Sequence, residues 1–550
     1  MHRALEAVNL IKEKRNGIIK GRTCANGSKQ KRYLKEEDVI ASPTVALESL
    51  LTSLVIDVYE GRDVGTFDVP GAYLHAEMPK DKRVLMCLRG EFVDIMCDVN
   101  PEYKQYVREK NGKKVLYLNV LRAIYGCIES ALLWYELFSS TLQDMGFKIN
   151  PYDRCVANMM VDGKQCTIVW YVDDNKVSHM DPKVVTGVMD EVEKHFGKLT
   201  ITRGRVHCFL GMNITLRKDK KIEIEMQDQI QEAIAAFGEK LMGRVTSPSA
   251  RHLMTVNDDA KKLVGKQKDV FHSVTAKLLF IEKRARPDIE PTIAYLCTRV
   301  DKSDEDDWKK LRRVLTWLNN TILDNRIIGC DNLESLFTWI DAAFAVHQNM
   351  RSQTGGAMSF GWGTLHARSS KQKLNTKSST EAELVGLSEY IPYNIWLVNF
   401  LKEQGYVMKH NVVYQDNQSA IRMARNGRNS CTGNSRHIDI RYFFVKDRLD
   451  KGEFEIQYCP TYMLLADFFT KSLQGKAFKV YRDVLMGYKH ISTLSLLTPS
   501  SIKERVGKTV NSEIIVEGVK SEERESREFT TIFNNAENLK VRKKSKKKQP

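Results

Sequence analysis

The stretch CVANMMVDGKQCTIVWYVDDNKVSH, Cys155 to His179, constrains the fold more tightly than any other in the chain. Asp162-Gly163 stands between two runs rich in β-branched and aromatic residues, a pattern that reads as a tight hairpin. The second run ends in Asp173-Asp174. Neighbouring side chains of a regular strand point to opposite faces, so two adjacent acids cannot serve one site there. At the tip of a hairpin they can. The ordinary reading of a lone Asp-Asp is a polar turn. A third carboxylate on another strand, with a reason to hold metal, would separate a site from a turn.

Asp68, in FDVPGAY, meets the first condition, because it ends an apolar strand well before the hairpin. Phosphoryl transfer uses carboxylates from separate strands that converge on two divalent cations. Charge points the same way. The 550 residues carry a formal +16, an excess that suits a polyanionic partner such as nucleic acid or an anionic surface. No apolar run approaches the roughly 18 residues of a membrane span. The N-terminus has no apolar signal core, and the eleven cysteines contain no C-x-x-C pair. The expectation is an intracellular protein with reduced thiols and no zinc knuckle.

The rest of the chain divides by pattern. SPTVALESLLTSLVIDVYEG predicts a helix capped near Ser42 with Pro43 at its first position, and ESALLWYELFSSTLQDMG a helix ending at Gly146. The middle is helical: Trp308, Leu311, Leu315 and Leu318 form one stripe. From about residue 335 three strand candidates follow one another. A long helix, SSTEAELVGLSEYIPYNIWLVNFLKEQG, comes next, then the strands NVVYQ and FEIQY and the segment ADFFTKSL. This second α/β unit has its own acids: Asp341 inside a strand, Glu381 in the first turn of the long helix, Asp416 after NVVYQ, and Asp467 opening the last helix. Each has a plain alternative, since Glu381 favours a helix dipole and Asp467 suits a helix start.

The motifs FDVPGAYLHAEMPKDKRVLMCLRG, LRAIYGCIESALLWY, YVDD and CFLGMNI, followed by SSTEAELVGLSE, YQDNQSA, RHIDIRYFF and LLADFFTKSL, stand in one order along residues 20 to 475. In that order they resemble a copia-type (Pseudoviridae-like) retrotransposon polyprotein, in the part that carries reverse transcriptase and ribonuclease H. The resemblance implies an RNA-directed DNA polymerase of right-hand fold, with fingers, palm and thumb, then a helical connection and a ribonuclease H-like mixed sheet, an α+β and α/β multidomain chain. It assigns residues 1–215 to fingers and palm, with the start of the fingers missing. Thumb and connection take 216–332, ribonuclease H takes 333–475, and 476–550 is a largely disordered tail with a basic end. By the same resemblance Asp68, Asp173 and Asp174 are polymerase metal ligands, and Asp341, Glu381, Asp416 and Asp467 ligands of the second site, with Mg²⁺ or Mn²⁺ as the ion. Glu383 reads as structural. Tyr73 would lie under the sugar of an incoming dNTP, Lys20 and Arg22 would grip its triphosphate, and Phe209, Leu210 and Gly211 would form the primer grip. His437 lies near the second site along the chain.

Implied partners are an RNA template, a DNA primer, an RNA–DNA hybrid and dNTPs, with no membrane. The implied location is intracellular: cytoplasmic, within a virus-like particle, and also nuclear. The sequence departs from the family pattern at GCIES, where Ile128 and Glu129 replace a cation and an amide. No histidine precedes Asp467 by about ten residues, as ribonucleases H often have. These departures keep a second expectation open, a fragment or inactive remnant of a retroelement that only binds nucleic acid.

Overall fold

The computed structural model describes residues 4–13, 17, 19–32, 40–81, 83–427 and 439–496. His437 and the lysine-rich end lie outside the described residues. The chain divides into two compact units, one of residues 1–45, 64–150 and 154–202, the other of 46–63, 151–153 and 203 onward. The segments expected as thumb, connection and ribonuclease H therefore fall in one unit, together with the early helix Leu47–Glu60.

The first unit holds two sheets. In the larger, the strands run in the order Thr200–Arg203, Asp63–Asp68, Asp174–His179, Lys164–Tyr171, Val156–Val161, Lys148–Ile149. The expected hairpin is present: Asp162 and Gly163 both have positive φ, 48° and 71°, as a two-residue turn of this kind needs. Helices Ser130–Asp144 and Pro182–Phe196 contribute Trp134, Phe138 and Phe196, which pack on one another, and Phe138 packs on Trp170 of the sheet. The smaller sheet pairs Leu5–Glu13 with Ile19–Ala25 and continues through Leu85–Arg89 and Lys113–Asn119 to Arg108–Lys110. Leu5, Ala25, Leu88, Val93 and Leu116 form its core.

In the second unit, five strands lie in the order His366–Lys371, Gln353–Ser359, Ser335–Ala343, His410–Gln415, Glu455–Tyr458, the first three antiparallel and the last two added in parallel. The helix Ser379–Glu403 packs against this sheet. Two adjacent glycines in the strand Gln353–Ser359 allow elements to come close. A Cβ on Gly356 would lie 2.0 Å from the ring of Tyr390 on that helix, and one on Gly355 would lie 2.8 Å from the Ala466 carbonyl oxygen. No larger residue fits either place. The expected helical stripe is also present: Trp308, Leu311, Leu315 and Leu318 are buried on Glu305–Asn320, which Asp304 and Asp307 start with a reciprocal capping box.

Two expectations need correction. The early helix begins at Leu47, not at Ser42–Pro43; its N-terminal region is met by the Asp153 carboxylate, which accepts the Ala46 N–H at 2.9 Å. A residue distant in sequence took the capping role that Ser42 offered locally. Nor does the tail begin at 476: Gly475–Leu485 is a helix with Phe478, Tyr481, Val484 and Leu485 buried. Its interspersed Lys and Arg obscured the helical apolar spacing.

Candidate functional site

The acids of the first unit are placed by sheet pairing and by one strained turn. Asp68 ends its strand beside the strand that begins at Asp174, and the Val69 N–H donates to the Asp173 carbonyl at 3.2 Å. Asp174 pairs with Tyr171 across the hairpin, leaving Val172 and Asp173 as the turn. Val172 has φ 58°, a conformation that β-branched residues rarely adopt. Its neighbours hold it there. The Trp134 indole donates to the Val172 carbonyl at 2.7 Å, and the buried Asn175 amide donates to the carbonyls of Asp173 at 2.7 Å and Phe67 at 3.3 Å. Asn175 thus ties both acid-bearing strands together. Burial first, and then the charges of Asp173 and Asp68, push the Asp174 carboxyl up to about 6. Carboxylates carried on neighbouring strands suit a hard divalent cation, and all-oxygen donors suit magnesium or manganese.

Beside these acids lies an aromatic relay. Tyr73 sits half-buried in the short helix Ala72–His75, its ring 4.6 Å from that of Tyr125. The Arg22 guanidinium lies 4.7 Å over Tyr125. Burial, then Tyr125 and the charge of Asp173, raise the Tyr73 hydroxyl's pKa. Close backbone approach fixes Arg22 there. A Cβ on Gly126 would stand 1.9 Å from the Ala25 carbonyl oxygen, and the Ala25 N–H donates to the Tyr125 carbonyl at 2.8 Å. Lys20 shares the exposed strand Ile19–Ala25 with Arg22. The GCIES departure has an internal contact, because Glu129 accepts from the Gln30 amide at 3.0 Å while Gln30 accepts the Ile128 N–H at 3.0 Å.

In the second unit Asp341, Glu383 and Asp416 bring one carboxylate oxygen each within 4.8 Å of one another, the tightest acid grouping among the described residues. This corrects the assignment of Glu381. The helix is capped by Ser378, which accepts the Glu381 N–H at 3.2 Å, and the Glu381 carboxylate turns back to accept the Lys377 N–H at 2.7 Å. Glu381 is thus engaged at the start of the helix, by its N–H with the cap and by its carboxylate with the residue before it. Glu383 lies two residues on, roughly 200° further around the helix. It is buried against the sheet, where the Gln415 amide donates to it at 3.2 Å. Burial, then Asp341 and Asp416, raise the Glu383 carboxyl well above its usual range. Burial and Asp341 raise Asp416, which also accepts the Thr461 hydroxyl at 2.7 Å.

Asp467 is fully buried, and it is tied to Lys471 rather than joined to the three-oxygen group. Thr470 donates to Asp341, and the Lys471 ammonium lies 3.7 Å from the same Asp341 oxygen. Phe209, Leu210 and Gly211 form a tight turn between the strands Val206–Phe209 and Met212–Leu216, with Leu210 and Gly211 at φ 50° and 75°. The Gln229 amide donates to the Gly211 carbonyl at 2.8 Å, and a Cβ on Gly211 would meet Phe280 at 3.3 Å.

Sequence reasoning missed Glu383, Tyr125, Trp134 and Lys471. For Glu383 a signal existed: Ser378-x-x-Glu381 has the capping-box pattern, which already gives Glu381 another task.

Among the described residues no helix is long and apolar enough to cross a membrane. The profile of the reverse transcriptase (RNA-dependent DNA polymerase) family matches residues 8–249. The chain is 25% identical over 473 residues to the retrovirus-related Pol polyprotein from transposon TNT 1-94 of Nicotiana tabacum, covering 85% of this chain and 34% of that protein. It is 24% identical over 463 residues to the Pol polyprotein from transposon RE1 of Arabidopsis thaliana, covering 84% of this chain and 30% of that one. The chain thus spans about a third of the length of these relatives. A prototype foamy virus protease-reverse transcriptase structure aligns over 82% of this chain and 50% of its own at 13% identity, with a TM-score of 0.24, too low to carry an argument about fold. The ordered motifs, the family match and the relatives agree: residues 8–249 match the reverse transcriptase family, and the chain is similar over most of its length to a part of the Pol polyproteins of plant copia-type retrotransposons.

Proposed function

We propose that this chain is an RNA-directed DNA polymerase joined to a ribonuclease H, copying template RNA from a DNA primer and degrading the RNA of the resulting hybrid. The observation that carries the reading is that each unit has its own acids: Asp68, Asp173 and Asp174 where neighbouring strands of one sheet end and begin, and Asp341, Glu383 and Asp416 gathered within 4.8 Å on the other. Asp68, Asp173 and Asp174 would hold the ions of the first site, and Asp341, Glu383 and Asp416, with Asp467 behind them, those of the second. Bound there, magnesium or manganese would lower the pKa of an attacking hydroxyl or water and neutralise charge on the leaving oxygen.

The protein's own part is to orient. The Trp134 and Asn175 hydrogen bonds fix where the Asp173–Asp174 turn presents its carboxylates. Tyr73, held between the acids and Tyr125, offers a ring face to the sugar of an incoming dNTP and leaves no room for a 2′-hydroxyl. Lys20 and Arg22 supply positive charge for the triphosphate, and the Phe209–Gly211 turn offers backbone to a primer end. Base pairing supplies sequence specificity, so the protein grips backbone and shape.

The remnant reading has one observation in its favour, the engagement of Glu129 with Gln30 where the family pattern has an amide. Primer extension on poly(rA)–oligo(dT) with and without Mg²⁺ decides between them. Metal-dependent extension is expected. Binding without extension, across both metals and a range of substrate concentrations, would leave the remnant.

A further inference from the structure

We propose that Lys471 is the resident cation of the second acid cluster: it holds Asp341 and Asp467 together in the metal-free protein and must withdraw when the cluster takes up a divalent ion. This rests on the reading of that cluster as a divalent-metal site.

The two carboxylates it joins are almost wholly shielded from water, with side chains 3% and 0% exposed, whereas the Lys471 side chain is 39% exposed. The acids are fixed and the cation is not. Asp341 belongs to the central strand and also accepts the Thr470 hydroxyl; Asp467 opens the short helix Asp467–Thr470 behind it. Lys471 follows that helix at once, in extended conformation, and its side chain touches both buried acids while remaining partly exposed. Buried carboxylates need a compensating charge, and leaving them unpaired is strongly unfavourable. One ammonium offsets only part of the charge of Asp341, Glu383, Asp416 and Asp467. A divalent ion does more, and once bound it repels the ammonium held beside the same Asp341 carboxylate. A flexible four-carbon stem can then carry the charge into water at little cost. Lys471 is therefore a positioning residue that competes with metal.

The test uses the full chain carrying Asp173→Asn and Asp174→Asn, so that the first acid group does not dominate the signal. Mn²⁺ is titrated and followed by the electron paramagnetic resonance of the free ion, and melting is recorded in EDTA. Glu383→Gln serves as the control that identifies Mn²⁺ bound at the second cluster. Lys471→Met is expected to melt several degrees lower in EDTA and to bind Mn²⁺ about tenfold more tightly or better, with the loss of stability restored by the ion. Lys471→Arg should stay near the parent in both measurements. Equal or weaker Mn²⁺ binding by Lys471→Met would make Lys471 an ordinary ion-pair partner and overturn the proposal. If Lys471→Met unfolds in EDTA and Mn²⁺ does not refold it, the proposal also fails. If the parent binds no Mn²⁺ that Glu383→Gln removes, the metal-site reading itself is wrong and takes the inference with it.

Discussion

The acids of the two units are placed by opposite means, and among the described residues only the second set comes within 4.8 Å. In the first unit the tool is backbone. A hairpin tip with Val172 in the left-handed region brings the Asp173–Asp174 backbone beside the end of the Asp68 strand, and hydrogen bonds from Trp134, Val69 and Asn175 hold the turn in place. Its acids stay partly open to water. In the second unit the tool is burial. Asp341 and Glu383 come from a strand and a helix in ordinary conformations, and neighbouring charge does the balancing. A strained turn needs partners that hold a shape; a buried cluster needs partners that carry charge.

The sharpest way to break this comparison is to remove one acid from each group. Asp173→Asn should abolish primer extension, by about a thousandfold or more, and spare hybrid-RNA cleavage; Glu383→Gln should do the reverse. Glu381→Gln, which loses only a cap, should leave cleavage within a few-fold. Loss of both activities from either single change in a folded protein would deny that the groups are separate. Next in size is Tyr73→Val. Ribonucleotide incorporation should rise by about one to three orders of magnitude while DNA synthesis remains measurable, corresponding to roughly 1.4–4 kcal/mol of lost discrimination. Unchanged discrimination with lost stability would make Tyr73 a packing residue alone.

Smaller effects probe the scaffolds. Trp134→Phe deletes the bond to the Val172 carbonyl and trims a buried ring that packs on Phe138 and Phe196, so primer extension should slow by at least about two- to tenfold, the range of a net hydrogen bond of about 0.5–1.5 kcal/mol. Hybrid cleavage should not change, and a change there would mean that the variant perturbs the whole chain. The last test is pH. Asp174 binds its proton up to about pH 6, above the usual carboxylate range, because of burial and of Asp173 and Asp68. Its raised pKa makes the metal-free fold lose stability as pH climbs from the unfolded value toward about 6, and metal binding recovers it. Mg²⁺ affinity at this site, measured by calorimetry, should therefore fall as pH drops below about 6, and Asp174→Asn should remove that dependence.

Much of this was legible in the sequence because it was local. The Asp162-Gly163 hairpin, the Trp308 stripe and the Asp-Asp turn each follow from a few adjacent residues. The choice between Glu381 and Glu383 did not, although the capping pattern carried a hint. Position in a motif favoured the first acid, whereas the side of the helix that met the sheet selected the second. The same holds for the early helix, whose N-terminus is met by Asp153 from a distant segment. Trp134 and Tyr125 stood inside recognisable motifs, yet their partners, Val172 and Arg22, are assigned only by the fold. What escaped was contact across sequence distance.

The glycine pair at 355 and 356 has a consequence for how the second unit assembles. One glycine admits the ring of Tyr390 and the other the Ala466 carbonyl, so the central sheet is closely approached through adjacent residues of a single strand. Glu383 arrives with the first of these partners and Asp467 with the second. The Asp341–Glu383–Asp416 group therefore depends on the packing of the first partner, and Asp467 takes its place behind it with the second, so that one strand without side chains at two positions sets how closely both layers can approach.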